Sequence, residues 1–170
     1  MIVQLKEASA EQKSILERLM QLYMYDFSEI DDRDVNQINQ QGLFEYKYLD
    51  SYWSESDRFP FLIYADDRIA GFALVGSHPV LSEDKGGKVI AEFFVMRKYR
   101  RRGIGKKAAF HIFDKFAGRW EVGQMVANVA AQGFWRSIIS EYTNGQFTET
   151  ILDNELWRGP IQSFDNSHKS

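Results

Sequence analysis

The sequence predicts one α/β domain built on a mixed β-sheet, and three observations predict it. The chain has 170 residues, the size of one domain rather than two. Apolar residues make up 44% and charged residues 26%, the balance of a chain that buries a core. Strand-like runs alternate with amphipathic segments, some joined as hairpins and some as strand–helix–strand units, so the sheet has both kinds of neighbour. There is no cysteine, which excludes disulfide frameworks, thiolate metal sites and a cysteine nucleophile. No metal is called for. No run of ~18 apolar residues occurs, so no membrane span is expected. Residues 1–7 lack the apolar stretch of a signal peptide, and a cytoplasmic location is expected.

Residues 2–5 read as a strand. Ser9, Ala10, Glu11 and Gln12 read as a capping box ahead of Ile15, Leu19, Leu22 and Tyr23 at helical spacing, which predicts a helix to about Tyr25. Residues 28–36 are polar and acidic and read as loop, and residues 38–52 are expected to hold a second helix. Residues 61–64 and 69–75 read as a hairpin around Asp66-Asp67. A loop over 83–87 leads to a strand over 88–96. The spacing of Ile104, Ala108, Ile112 and Phe116, with Gly118 beyond, predicts a helix over 104–116. A strand over 120–126 and a helix over 130–140 follow, the helix carrying Ala131, Phe134, Trp135 and Ile138 on one face. Strands over 147–152 and 155–158 close a domain of residues 1–162, leaving a polar tail over 163–170.

Net charge is −3, but it is unevenly placed. Residues 1–60 carry twelve acids and six bases, net −6, whereas residues 97–119 carry nine bases and one acid, net +8. That polarity predicts an anionic ligand at the basic segment and a cationic one elsewhere.

The basic segment lies where a strand turns into a helix. Arg100, Arg101, Arg102, Lys106 and Lys107 surround Gly103, Ile104 and Gly105. A helix start already presents unpaired N–H groups and the positive dipole end, so added cations oppose it unless an anion sits there. Phosphate or pyrophosphate is the matching anion. A solvated basic face is the plain alternative. A Walker loop fails, because Arg100 stands where its first glycine is needed. Residues 103–108 fit the dinucleotide pattern G-x-G-x-x-A, yet the acid expected at the end of the next strand is missing and few residues follow.

The pattern R-x-x-G-x-G, filled by Arg100, Gly103 and Gly105 after Val95 and Tyr99, resembles the GNAT superfamily of Gcn5-related N-acetyltransferases. A second signature, Asn-x-x-Ala followed by aromatics, is filled by Asn128, Ala131, Phe134 and Trp135. The likeness covers residues 88–140 and extends to a bacterial subgroup described as predicted acetyltransferases. It implies a mostly antiparallel sheet of about seven strands, helices on both faces, and a splay between the fourth and fifth strands. It implies acetyl-CoA as co-substrate and direct transfer of the acetyl group to a primary amine in a ternary complex. Phe93, Phe94 and Val95 would pair with the pantetheine arm through their backbone. Arg100, Arg101, Arg102, Gly103, Ile104, Gly105 and Lys106 would cradle the pyrophosphate. Asn128, Phe134 and Trp135 would border the cofactor.

Two proton-transfer roles then need occupants. Glu92 is the candidate base, although alternation sets it opposite Phe93 and Val95 unless a bulge intervenes, and a structural contact is its plain reading. Glu121 ranks behind it. The resemblance implies a tyrosine acid where this chain has Trp135, so either Tyr142 supplies the acid or the thiolate leaves unprotonated. For the acceptor, Tyr25, Asp26 and Phe27 are the candidate contacts, a carboxylate framed by aromatics that would hold a cationic small-molecule amine; Asp31, Asp32 and Asp34 extend the acidic loop, and a solvated loop is the alternative. No nucleic-acid or membrane partner is expected, and a homodimer is compatible with the reading. The rivals are a non-enzymatic acyl-CoA sensor, a nicotinamide-cofactor enzyme and a nucleic-acid binder.

Overall fold

In a computed structural model that describes residues 1–31, 33, 36–83 and 85–169, the chain runs β1 (Val3–Glu7), α1 (Lys13–Phe27), α2 (Ser51–Ser54), β2 (Phe59–Ala65), β3 (Arg68–Gly76), β4 (Lys88–Val95), α3 (Ile104–Lys115), β5 (Arg119–Gly123), α4 (Val129–Thr143), β6 (Thr148–Asp153) and β7 (Arg158–Asp165). The strands form one sheet in the order β1-β2-β3-β4-β5-β7-β6. Neighbours are antiparallel except β4 and β5, which run parallel. The expected mixed, mostly antiparallel sheet is thus present. Helices cover both faces. α1 packs over Leu62, Phe72, Leu74 and Phe94. α3 and α4 pack over Phe61, Ala73, Val75, Trp120 and Val122.

The β2–β3 hairpin turns on Asp66 and Asp67, with φ of 48° and 62°, the left-handed pair of a type I′ turn. β3 approaches β4 closely because position 71 has no side chain: a Cβ there would stand 1.9 Å from Phe94 O. Gly71→Ala should therefore push the two central strands apart and cost about 1–3 kcal/mol or more, read as a fall of several degrees in the thermal midpoint. An unchanged midpoint would show that the strands relax freely.

Three expectations are corrected. Residues 38–50 do not form a helix, and α2 takes up only the end of the expected stretch, from Ser51. Asn39 Oδ1 accepts the N–H groups of Gln41 and Leu43, Gly42 turns with φ +77°, and Ile38 bridges Phe44. Such side-chain capture of backbone competes with helix formation. The last strand is β7 rather than residues 155–158, and it runs through Ser163, Phe164 and Asp165 into what was expected to be tail. Asn166 beyond it is buried and donates to Phe113 O at 2.8 Å. Within β7, Gly159 lets the Gln124 carbonyl approach, where a Cβ would be 2.1 Å away. α1 also continues two residues past Tyr25, to Phe27.

Candidate active site

β4 and β5 pair only at Lys88–Trp120 and Val89–Glu121. Beyond these two pairs they diverge. β5 is held along its other edge by β7, from Arg119–Asp165 to Gly123–Ile161. β4 carries a bulge at Ala91, since Val75 pairs with Ile90 and Leu74 with Glu92. The divergence opens a cleft of about 880 Å³ between the strands. Its walls are β4 from Ile90 to Phe93, residues 122–128, the α4 residues Ala131 and Trp135, the α1 residues Tyr23 and Phe27, and the β6–β7 loop. A hollow of about 430 Å³ at Arg119, Phe147 and Phe164 holds none of the expected site residues.

On the α3 side, β4 ends in a one-turn 3₁₀ helix, Arg97–Tyr99. Arg101 and Gly103 then take left-handed φ of 60° and 75° before α3 begins. The first backbone bond into α3 is Lys107 N–H to Gly103 O at 3.1 Å. Among the described residues, no protein acceptor meets the N–H groups of Gly103, Ile104, Gly105 or Lys106. That is the donor cradle an anion needs at a helix start.

The cations around it divide into two sets. Arg100 is committed to the protein: its Nε donates to Val95 O at 2.7 Å, and its guanidinium pairs with Asp26 at 2.5 Å. Lys106 pairs with Glu141 at 2.6 Å. Arg101 and Arg102 are exposed, with no ion partner among the described residues. Ile104 is buried and anchors the turn. A side chain at Gly103 would enter open space, whereas one at Gly105 would meet the Phe134 ring at 3.1 Å. The absent side chain at Gly105 thus serves packing against Phe134, with Phe93 beyond. Trp135 is buried against Phe93, Phe113 and Phe134. Asn128 caps α4, its Oδ1 accepting from Ala131 N–H at 3.2 Å.

On the α1 side, the Ala91 bulge sends Ile90 to the α3/α4 core and Glu92 and Phe94 toward α1. Phe93 keeps to the opposite face and lines the cleft, whereas Phe94 and Val95 do not line it, and the Phe94 ring joins Tyr23 and Phe72. The Glu92 carboxylate accepts from the Tyr23 hydroxyl and, at 3.2 Å, from the Tyr46 hydroxyl. Burial pushes its carboxyl up to about 7, against the lowering effect of the two phenols. Tyr23 is pushed well above its ordinary 10.0 by burial and by the Glu92 charge, so it stays a donor.

Asp26 does not hold an open position for an ammonium. It accepts from Arg97 at 2.7 and 3.1 Å and from Arg100 at 2.5 Å. Burial raises its carboxyl, but the Arg100 and Arg97 guanidiniums prevail and hold it below its ordinary value. Tyr25 is 67% exposed, away from the cleft, and Phe27 alone of the three lines it. Asp31 is buried and closed by Arg33 at 2.5 and 2.7 Å. Asp32 and Asp34 lie outside the described residues. Asp26→Asn should cost ~1 kcal/mol or less, because both arginines are largely exposed. The measurement is the thermal midpoint, which should move by no more than a few degrees.

Tyr142 is corrected as a candidate acid. It is buried between α3, α4 and β7, its hydroxyl donating to Asp114 at 2.8 Å and accepting from Asn166 at 3.2 Å. It does not line the cleft; Tyr23 does. Glu121 is structural, accepting the N–H groups of Val80 and Leu81 at 2.7 and 2.9 Å. The cleft residues that sequence reasoning passed over are Tyr23 and Trp157; Tyr46, one of the aromatics expected on the acceptor side, meets Glu92 instead. A signal for Tyr23 existed: a lone acid in an apolar strand and a tyrosine on a buried helix stripe each need a polar partner.

No curated protein matches the chain. Among solved structures, an acetyltransferase from Thermus thermophilus superposes with TM-score 0.67 at 12% identity, over 97% of each chain. A GNAT-family acetyltransferase from Staphylococcus aureus gives 0.63 at 17%, over 96% of this chain and 99% of that one. The yncA structure from Salmonella typhimurium, solved with its cofactor acetyl-CoA, gives 0.62 at 12%, over 96% and 93%. The model of the acetyltransferase (GNAT) family matches residues 16–138, the stretch from α1 through the cleft into α4. The chain therefore belongs to the GNAT acetyltransferase family.

Proposed function

We propose that the protein transfers an acetyl group from acetyl-CoA to a small-molecule primary amine by direct attack in a ternary complex, with Glu92 as general base. One observation carries this reading: a desolvated carboxyl, pushed up to about 7, stands at the wall of the β4–β5 cleft and is oriented by Tyr23 and Tyr46. A base is most useful when its pKa lies near the working pH. The acceptor approaches from the α1 face and gives an ammonium proton to Glu92. The amine nitrogen bonds to the acetyl carbon, the carbon–sulfur bond breaks, and CoA leaves as the thiolate, which takes up the second proton released from the nitrogen, without an acid from Tyr142.

The residues present fit the co-substrate. The donor cradle at Gly103–Lys106 and the open cations Arg101 and Arg102 suit a pyrophosphate. The unpaired edges of β4 and β5 past Val89 and Glu121 suit an amide-rich arm. Replacing both Arg101 and Arg102 by Gln should weaken acetyl-CoA several-fold and flatten the salt dependence of its Kd, since exposed charges are screened over ~8 Å. Calorimetry at two salt concentrations checks this, and an unchanged Kd would remove both from the site. A CoA-binding sensor is the second reading, motivated by Trp135 and by the distance of Tyr142 from the cleft. A thermal-shift series with acetyl-CoA, NAD and an oligonucleotide, followed by product analysis with an amine panel, separates the classes. Stabilisation by acetyl-CoA with N-acetyl product supports the proposal; stabilisation without product from any amine supports the sensor.

A further inference from the structure

Asp26 stands where helix electrostatics disfavours it. It is the next-to-last residue of α1, and the C-terminal end of a helix carries the negative end of the dipole. The arginines ahead of α3 are disfavoured in the opposite sense, because they crowd a positive end. The fold sets the two against each other. Asp26 Oδ1 accepts from Arg97 Nε at 3.1 Å and from its Nη2 at 2.7 Å, and Oδ2 accepts from Arg100 Nη2 at 2.5 Å. Each carboxylate oxygen thus holds one arginine.

The Arg100 side chain is fixed at three places. Its Nε donates to Val95 O at 2.7 Å. Its guanidinium meets Asp26 and lies over the Phe94 ring, 5.7 Å from the centroid. Phe94 packs with Tyr23 under α1, so this side chain turns to the α1 side of the sheet. The next residue, Arg101, takes the left-handed φ of 60° that leads into the donor cradle. The N–H groups of Gly103 to Lys106 meet no protein acceptor among the described residues, so their direction depends on how the two ends of the turn are held. Buried Ile104 anchors the far end. Arg100 anchors the near end, and Asp26 anchors Arg100.

We propose that Asp26 is a positioning residue for acetyl-CoA: through Arg100 it holds the entry to the turn, so that the N–H groups of Gly103 to Lys106 converge on the pyrophosphate. This rests on the reading of that turn as the pyrophosphate site.

The sign of one substitution tests it. If charge alone mattered, removing a carboxylate beside an anion site would strengthen acetyl-CoA binding. If Asp26 positions the turn, its removal weakens binding. An asparagine side chain has a single acceptor oxygen and cannot hold both arginines. By calorimetry, Asp26→Asn should raise the Kd of acetyl-CoA about threefold to tenfold. Arg100→Lys keeps the charge, but one ammonium cannot reproduce the fork between Val95 O and Asp26, so it should weaken binding to a similar degree. The double variant should bind no more weakly than the weaker single one, because both act through the same contact. With an amine that the wild type acetylates, Asp26→Asn should raise KM for acetyl-CoA and leave kcat and the KM of the amine unchanged. An unchanged or lower Kd in Asp26→Asn overturns the inference, and a lower Kd with a steeper salt dependence would give the released arginines to the phosphates. A fall in kcat with the Kd unchanged also overturns it. If Gly103→Val loses acetyl-CoA while Asp26→Asn keeps it, the pyrophosphate site stands and only this inference falls. Wild-type protein that binds no acetyl-CoA overturns both.

Discussion

Glu92→Gln should lower kcat/KM at neutral pH by about 10²–10⁴-fold, the usual contribution of a positioned general base, while the Kd of acetyl-CoA stays within about twofold of wild type. The substitution keeps the shape that Tyr23 and Tyr46 hold and removes the proton acceptor. In the wild type, activity should rise as Glu92 ionises, through about pH 7. In the variant that inflection should vanish, and rate should instead follow the free-amine fraction upward at high pH. The same group predicts a stability signature. Burial raises Glu92 from 4.5 to about 7, so between those values the folded protein keeps a proton that the unfolded chain releases. Its stabilising contribution is complete below about 4.5 and lost as pH rises through about 7. Glu92→Gln should lack that loss and gain thermal midpoint relative to wild type at pH 8 compared with pH 5. Wild-type rates at every pH would remove Glu92 from the chemistry.

Gly103→Val should weaken acetyl-CoA binding by more than tenfold, and Gly103→Asn should restore most of it. Gly103 has φ +75° and starts α3. Left-handed backbone costs a β-branched residue about 1–2 kcal/mol and suits glycine or asparagine. A side chain there meets nothing in the protein, so the loss comes from a turn that no longer aims its N–H groups at one point. Gly105→Val should act differently. Its side chain is driven into Phe134, so the thermal midpoint should fall along with affinity. Calorimetry and melting of the three variants separate the two causes. Equal affinity for Gly103→Val and wild type would move the anion site elsewhere.

Much of this arrangement was legible because it depends on neighbours in sequence. The strand into Val95, the glycine turn and the stripe of Ile104, Ala108 and Ile112 are local patterns, and they fold as read. What was not legible depends on distant partners. Asp26 looks like an exposed anchor until Arg97 and Arg100, 71 and 74 positions away, close on it. Tyr142 looks available until Asp114 and Asn166 take its hydroxyl. The direction of Glu92 turns on a single extra residue, Ala91, opposite Leu74 and Val75, and a bulge of one residue reverses a face without changing composition. Residues 38–52 show the limit of local reading, since Gln21 binds Phe44 through both its amide groups at 2.8 Å and fixes a looped path. Trp157 escaped notice because residues 155–158 read as a strand, whereas Asn154 folds them into a turn through Leu156 and Trp157.

The central claim is that acetyl-CoA and an amine meet in the β4–β5 cleft and react directly, and one measurement bears on it most closely. Purified protein is mixed with acetyl-CoA labelled in the acetyl group, alone and with an amine panel, and followed by mass spectrometry of both small molecules and intact protein. The account predicts free CoA and labelled N-acetylamine appearing in equal amounts, only when an amine is present, with the protein mass unchanged throughout. A labelled acetyl-protein formed without amine, or bound acetyl-CoA that yields no acetylamine from any member of the panel, would contradict it.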